Sequence, residues 1–216
     1  MHALEAPLRR GLDALALQLE EPQVVQLLGY LDLVQKWNKV YNLTAVRDPA
    51  EMVSQHLLDC LAVLPSLRAR LPEVPGRLLD VGSGAGLPGI VIAICRPDIR
   101  VDCVDTVAKK AAFIQQVAVT LQLSNLRGLH ARVESLPADY GVITSRAFAS
   151  LKDFVSWSGG ALQEGGVWMA MKGRLPQEEI DQLPPEVRVF HVEQLKVPGL
   201  DAERCLIWLR RAAPVT

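Results

Sequence analysis

Apolar positions in the first 75 residues recur at helical spacing. Leu8, Leu12, Leu15 and Leu19 form one series, Val24, Leu27, Leu28, Leu31, Val34 and Trp37 a second, and Met52, Val53, His56, Leu57, Leu61 and Leu64 a third. Three helices are predicted. Glu21-Pro22 and Asp48-Pro49 read as starts of the second and third, because the N–H that proline lacks is not needed in a first turn. A polar loop, 38–47, separates those two helices, and the proline-rich stretch 71–76 ends the pattern. From Arg77 onward short β-like runs alternate with helical ones, the signature of a mostly parallel sheet covered on both faces. Seven strands are predicted, at 78–81, 101–105, 126–130, 141–145, 167–171, 187–195 and 205–210. Helices at 88–95, 107–123 and 150–162 fit between the first five, and a Pro-Gly turn at 197–202 makes the last two strands an antiparallel hairpin. The expected organisation is an N-terminal helical cap, 1–75, followed by a Rossmann-like α/β domain, 76–216.

Composition adds limits to this picture. Half of the 216 residues are apolar, enough for a sizeable core. The 23 basic and 24 acidic residues nearly cancel; residues 1–75 carry seven Lys/Arg against nine Asp/Glu, and 76–216 carry sixteen against fifteen. Neither part has the strongly basic body of a nucleic-acid coat, so any such contact must be local. Cys60, Cys95, Cys103 and Cys205 are scattered without a CxxC pair and are read as reduced core thiols, with no metal site. Charges run through the N-terminal apolar positions, which excludes a signal peptide, and no uncharged apolar run reaches the roughly 18 residues of a membrane span. A cytoplasmic chain without membrane contact is expected, and with no obvious apolar surface helix, a monomer.

The chemistry concentrates in Asp80-Val81-Gly82-Ser83-Gly84-Ala85-Gly86-Leu87-Pro88-Gly89, directly behind the first strand. Glycines at that point let the backbone turn sharply and approach a ligand with no Cβ in the way, and the next helix offers free N–H groups. Gly84, Gly86 and Gly89 formally match the GxGxxG dinucleotide fingerprint, which alone is a weak signal. Asp80 stands at the strand end just before the loop, where a carboxylate repels a pyrophosphate and suits a positively charged ligand. S-adenosylmethionine, with its ammonium and sulfonium groups, is such a ligand. Asp80, Gly82, Gly84 and Gly86 resemble the cofactor loop of Rossmann-like methyltransferases, whose architecture also has seven strands ending in a hairpin. Asp105, at the end of the second strand, is placed to accept hydrogen bonds from ribose hydroxyls. The turn 130–135 after the third strand offers the backbone of Val133 and Glu134 to an adenine edge.

The acceptor is read from the end of the fourth strand, Ser145-Arg146-Ala147-Phe148-Ala149. There is no D/N-P-P-Y/F motif for amino-group methylation, and no Cys follows a Pro as in pyrimidine C5 methylation. A cation and an aromatic stand there instead. A ring nitrogen such as guanine N7 carries an in-plane lone pair and no proton, so its methylation needs no general base, and orientation alone supplies on the order of 7–11 kcal/mol. Lys172 and Arg174 after the fifth strand, and Lys109 and Lys110 after the second, are candidates to neutralise phosphates.

Five motifs taken together carry a closer resemblance: Trp37-Asn38-Lys39-Val40-Tyr41-Asn42-Leu43-Thr44-Ala45, His56-Leu57-Leu58-Asp59, the glycine loop through Leu87-Pro88-Gly89, Ser145 to Ala149, and Met171-Lys172-Gly173. In this order, over about residues 30–175, the chain resembles the RsmG (GidB) family of bacterial 16S rRNA guanine-N7 methyltransferases. Cys60 departs from the small hydroxyl residue expected after the His-x-x-Asp motif. The resemblance implies methyl transfer from S-adenosylmethionine, leaving S-adenosylhomocysteine, to N7 of a guanosine in the decoding region of 16S rRNA, within a 30S particle or an assembly intermediate. It implies cofactor contacts at Gly82, Leu87, Val133, Glu134 and Arg146, with Asp105 as ribose ligand. Arg146, Lys172 and Asn42 are the candidate catalytic residues, Asn42 because a cap folded over the cofactor mouth would bring it to the substrate. Two other readings remain open at this point. One is an NAD-binding oxidoreductase built on Gly84, Gly86 and Gly89, which lacks a placed catalytic His or Tyr-Lys pair; the other is a binding module that keeps the cofactor fold without catalysis.

Overall fold

A computed structural model describes residues 2–71, 76–148 and 150–212. The breakpoint residues 72–75, and Ala149 of the motif after the fourth strand, lie outside the described residues. Helices α1 (Glu5–Ala14) and α2 (Glu21–Tyr41) come first. Helix α3 (Pro49–Met52) runs through a π-helical stretch, Val53–Leu58, into α4 (Asp59–Leu61), and α5 (Leu64–Arg70) follows. Then come β1 (Arg77–Val81), α6 (Gly89–Cys95), β2 (Arg100–Asp105), α7 (Ala108–Thr120), β3 (Leu126–His130), β4 (Tyr140–Arg146) and α8 (Leu151–Ser158). The chain ends with β5 (Leu162–Lys172), α9 (Gln177–Asp181), β6 (Val187–Leu195) and β7 (Arg204–Arg211).

Both helix starts are built as their residues dictate. Pro22 stands in the first turn of α2, where Glu20 and Gln23 form a reciprocal capping box. Asp48 Oδ1 accepts from the Ala50 N–H at 2.9 Å and Pro49 opens α3. The third predicted helix is longer and more broken than its periodicity indicates, because the π-helical stretch shifts the apolar face and α5 continues past Leu64. Helix α9 carries no fully buried residue and therefore no apolar stripe by which to find it.

The seven strands form one sheet in the order β3-β2-β1-β4-β5-β7-β6. The first five lie parallel to one another, and β7 runs antiparallel to both β5 and β6. Strand β5 starts at Leu162, earlier than its sequence suggests, and α8 stops at Ser158. The reason is a bulge: Tyr140 pairs with Leu162 but Val142 pairs with Val167, and Gly165, at φ 73°, takes up the extra chain.

Alternation along β1 places its residues on opposite faces. Leu78 enters a core shared with Leu8, Leu27, Leu31, Leu57, Ile90 and Phe113, whereas Leu79 enters a second core with Val104, Ile143, Phe154 and Trp168. The N-terminal helices thus pack on the outside of α6 and α7 and share their core. All four cysteines are buried and free. The chain reverses its direction across the sheet between β1 and β4, and the carboxyl ends of those strands form the crevice in which such sheets bind ligands. No helix among the described residues is long and apolar enough to cross a membrane.

Candidate functional site

Two cavities open at that crevice, of about 710 Å³ and about 440 Å³. Gly82 and Phe148 line both, so the two meet there. The left-handed backbone of Gly82 (φ 64°) turns the chain off β1, and its N–H donates to Val104 O on β2 at 2.9 Å. A Cβ on Gly82 would stand 2.7 Å from the Phe148 ring, so glycine is required both by conformation and by close approach. Ala147, also left-handed at φ 53°, turns the chain after β4 and brings Phe148 to this place.

The larger cavity contains Asp105, Val133 and Glu134, which the sequence singles out, together with Thr106, His130 and Trp157. Asp105 is buried, with Oδ1 accepting from Val107 N at 2.9 Å and Oδ2 from Gly84 N at 3.1 Å. The carboxylate therefore ties the glycine loop to β2. Each of its oxygens has a second lone pair, which leaves acceptor capacity for a hydroxyl. Trp157 is 44% exposed and meets the Phe148 ring edge-on, with centroids 5.6 Å apart. It stands outside the stripe of Leu151, Phe154, Val155 and Ser158 that α8 buries, and an aromatic off the buried stripe is the signal by which it was findable in the sequence.

The smaller cavity contains Gly84, Leu87, Arg146 and Lys172 from the expected set, and adds Leu43, Thr44, His56, Asp59, Ser83 and Arg204. Arg146 leaves the end of β4 and donates from Nη1 to Gln55 O at 2.8 Å and to Asp59 Oδ2 at 3.1 Å. Arg204 Nε donates to Asp59 Oδ1 at 2.9 Å. One buried carboxylate on α4 thus orients two guanidinium groups from two strands. Lys172 donates to Glu179 of α9 at 2.8 Å. Nothing local distinguishes Arg204 from an ordinary charged strand end, and its partner is 145 residues away.

His56 is buried, shares a 2.9 Å hydrogen bond between Nε2 and Thr44 Oγ1, and leaves Nδ1 without a partner among the described residues. Burial first, and the Arg146 charge second, push its pKa down to about 4, so it is neutral at physiological pH.

Three expected site residues stand elsewhere. Asp80 is fully buried and lines neither cavity: its Oδ2 accepts from Gly89 N at 2.8 Å, so the carboxyl holds the start of α6 beneath the loop instead of facing a ligand. Burial raises its pKa to about 7 against the lowering effect of that N–H. Gly86 lines neither cavity because Ile90 fills the space at its Cα, with Cδ1 2.2 Å from where a Cβ would be. Asn42 is the exposed left-handed C-cap of α2 (φ 48°), and its Oδ1 accepts from Arg47 at 3.0 Å, outside the lining of the smaller cavity. Its neighbours Leu43 and Thr44 line that cavity in its place.

Comparison with known proteins agrees with this architecture. The profile of the GidB family, rRNA small subunit methyltransferase G, matches residues 23–207. A ribosomal RNA small subunit methyltransferase G from Polaromonas sp. strain JS666 is 64% identical over 214 residues, covering 97% of this chain and 95% of that protein. One from Paracidovorax citrulli is 61% identical over 219 residues, covering 96% and 90%. Among solved structures, a SAM-dependent methyltransferase from Aquifex aeolicus superposes with a TM-score of 0.56 at 16% identity, covering 78% of this chain and 96% of that one. TrmN from Thermus thermophilus gives 0.55 at 19% identity, covering 74% and 53%. At those identities the structures show the fold, a Rossmann-like methyltransferase fold. The sequence matches show more: this chain belongs to the GidB family, rRNA small subunit methyltransferase G.

Proposed function

We propose that this protein transfers a methyl group from S-adenosylmethionine to N7 of a guanosine in the decoding region of 16S rRNA. The observation that carries the reading, beside the family, is the meeting of two cavities at Gly82 and Phe148, one with a ribose-type carboxylate and the other with three basic residues. The residues present fit the cofactor. Asp105 keeps lone pairs for ribose hydroxyls, the backbone of Val133 and Glu134 borders the same cavity, and the space at the Gly84 Cα is clear of protein atoms within 4 Å. Ser83 Oγ is a buried polar atom without a partner among the described residues, on the loop that joins the two cavities.

When bound, the cofactor supplies an electrophilic methyl group. The residues of the chain then have to bring a guanine to it and exclude other geometries. Guanine N7 attacks with its own lone pair, so no side chain has to remove a proton, and the neutral His56 is not needed as a base. Arg146, held by Asp59, orients groups at the junction and leaves the N7 edge free to react. Lys172 and Arg204 face the same cavity and suit the phosphates of the acceptor strand. Asp80 acts beneath the loop by holding Gly89, and Asn42 acts at the rim through the turn that presents Leu43 and Thr44.

In this reading residues 1–75 are a cap that forms one wall of the acceptor cavity, and residues 76–216 are the cofactor-binding domain. The protein works as a cytoplasmic monomer on a 30S particle or an assembly intermediate, where a nearly neutral chain gains more from substrate shape than from charge. Mass spectrometry of 16S rRNA from a strain lacking the gene tests the reading. Loss of one 7-methylguanosine, restored by the parental gene, is expected; an unchanged 7-methylguanosine content sinks it. Calorimetry adds a second check, with S-adenosylhomocysteine binding and NADH failing to bind.

A further inference from the structure

Helix α2 presents Gln23, Gln26 and Tyr30 at i, i+3 and i+7, on one face. Each donates a hydrogen bond to a main-chain carbonyl of the sheet-bearing part of the molecule. Gln23 Nε2 reaches Ile94 O at 3.0 Å, in the last turn of α6, and Gln26 Nε2 reaches Leu121 O at 3.0 Å, just past α7. Those two carbonyls belong to helix ends, where a partner is needed in any case. The third bond is different. The Tyr30 hydroxyl donates to Ala85 O at 2.9 Å, inside the glycine loop, and Ala85 lines the smaller cavity.

Ala85 O has no other donor among the described residues. Tyr30 itself is fully buried, with its ring 6.4 Å from that of Phe113 on α7. The peptide whose carbonyl it holds lies between Gly84 and Gly86, both left-handed. Such glycines have several backbone wells of similar energy, so an outside anchor decides which one the loop occupies. We propose that Tyr30 is a positioning residue for the cofactor loop, setting through Ala85 the conformation in which Gly82 and Gly84 receive S-adenosylmethionine. This rests on the methyltransferase reading for the identity of the ligand and on the Tyr30–Ala85 bond for the mechanism. It also makes the N-terminal helices part of the cofactor site, although none of them contacts the larger cavity.

The test uses full-length protein with Tyr30→Phe, which removes one oxygen, and Gln26→Ala, which removes a bond from the same face but away from the loop. The net contribution of one intramolecular hydrogen bond corresponds to roughly a two- to tenfold change in an equilibrium constant. Tyr30→Phe is expected to raise the Kd for S-adenosylhomocysteine, measured by calorimetry, by about that factor, with kcat at saturating cofactor within about twofold of the parent. Hydrogen exchange is expected to accelerate at the amides of Gly86 and Leu87, which bond to Ser83 O. Gln26→Ala is expected to lower the melting temperature while leaving both readouts unchanged. Parental affinity together with parental exchange in Tyr30→Phe overturns the proposal, as does an equal loss of affinity in Gln26→Ala. Failure of the parental protein to bind S-adenosylhomocysteine would count against the proposed function alone, and the exchange data then decide the role of Tyr30.

Discussion

Arg146 and Asp59 are joined across 87 residues by a 3.1 Å ion pair, and the same carboxylate takes Arg204 on its other oxygen. Asp59 is almost fully buried while both arginines keep about a quarter of their side-chain surface in solvent. The acid is therefore the fixed point of the group, and the cations are the parts exposed to the smaller cavity that they line. Asp59→Ala leaves two guanidinium groups without their counter-charge. A loss of about 3 kcal/mol is expected, the lower end for breaking a buried pair because the arginines are partly solvated. That is a fall in Tm of about 6–12 °C for a chain of this size. Methyl transfer should fall at least about tenfold, since a misplacement of about 1 Å in a positioning group costs more than that. Melting curves and labelled-methyl transfer check both.

Two glycines of the loop separate folding from binding. A Cβ at Gly82 meets Phe148 at 2.7 Å, whereas at Gly84 it meets nothing within 4 Å, although both residues are left-handed. Gly84→Ala is expected to cost only about 1 kcal/mol of backbone strain and yet to weaken cofactor binding, because the added methyl group enters the open space of the smaller cavity. Gly82→Ala adds a steric clash and should cost about 2–3 kcal/mol. Denaturant unfolding of the ligand-free proteins ranks the two. A larger loss for Gly84→Ala contradicts the structure.

Asp80, with its pKa raised to about 7 by burial, gives the ligand-free protein a pH dependence of definite sign. The unfolded chain ionises this group near its ordinary value of about 3.9, so between there and pH 7 the folded state holds the extra proton. Its contribution to stability is fully present below about pH 4, falls as pH rises, and levels off above pH 7. Asp80→Asn does not titrate. Parental stability measured against that variant is expected to decline from pH 5 to pH 7 and then stay flat, and a difference independent of pH would contradict it.

His56 works in the opposite direction. Its pKa of about 4 lies below the unfolded value of about 6.5, so the unfolded chain takes up the proton first as pH falls. Stability from the neutral, buried imidazole is present above pH 6.5 and lost between 6.5 and 4. His56→Gln should remove that acid sensitivity, and urea unfolding at pH 7 and pH 5 shows it as a smaller difference between the two pH values than in the parent. Because the Asp80 and His56 slopes oppose each other between pH 4 and 6.5, the parental profile is flatter than that of either variant alone.

Local signals made much of the architecture legible. Alternation of β and helical runs determines the order of strands along the chain, Asp48-Pro49 determines where α3 begins, and the glycine loop behind β1 marks where the two cavities open. Asp105 could be placed at the end of its strand because strand ends are a local property. These features depend on neighbours within a few residues, so periodicity and turn chemistry suffice to find them.

Tertiary structure decided the rest. Whether the Asp80 carboxyl faces a ligand or holds Gly89 depends on how α6 returns over β1, which no spacing encodes. The grouping of Asp59, Arg146 and Arg204 joins residues from α4, β4 and β7, and each pairing carries a closure that only the assembled sheet provides. The same holds for Tyr30, whose position on α2 reads as core until α2 is packed against the glycine loop. Local residue patterns fix which elements form and where the bare backbone lies; packing fixes which polar groups reach the cavities and which are enclosed beneath them, because burial is a property of contacts between distant segments.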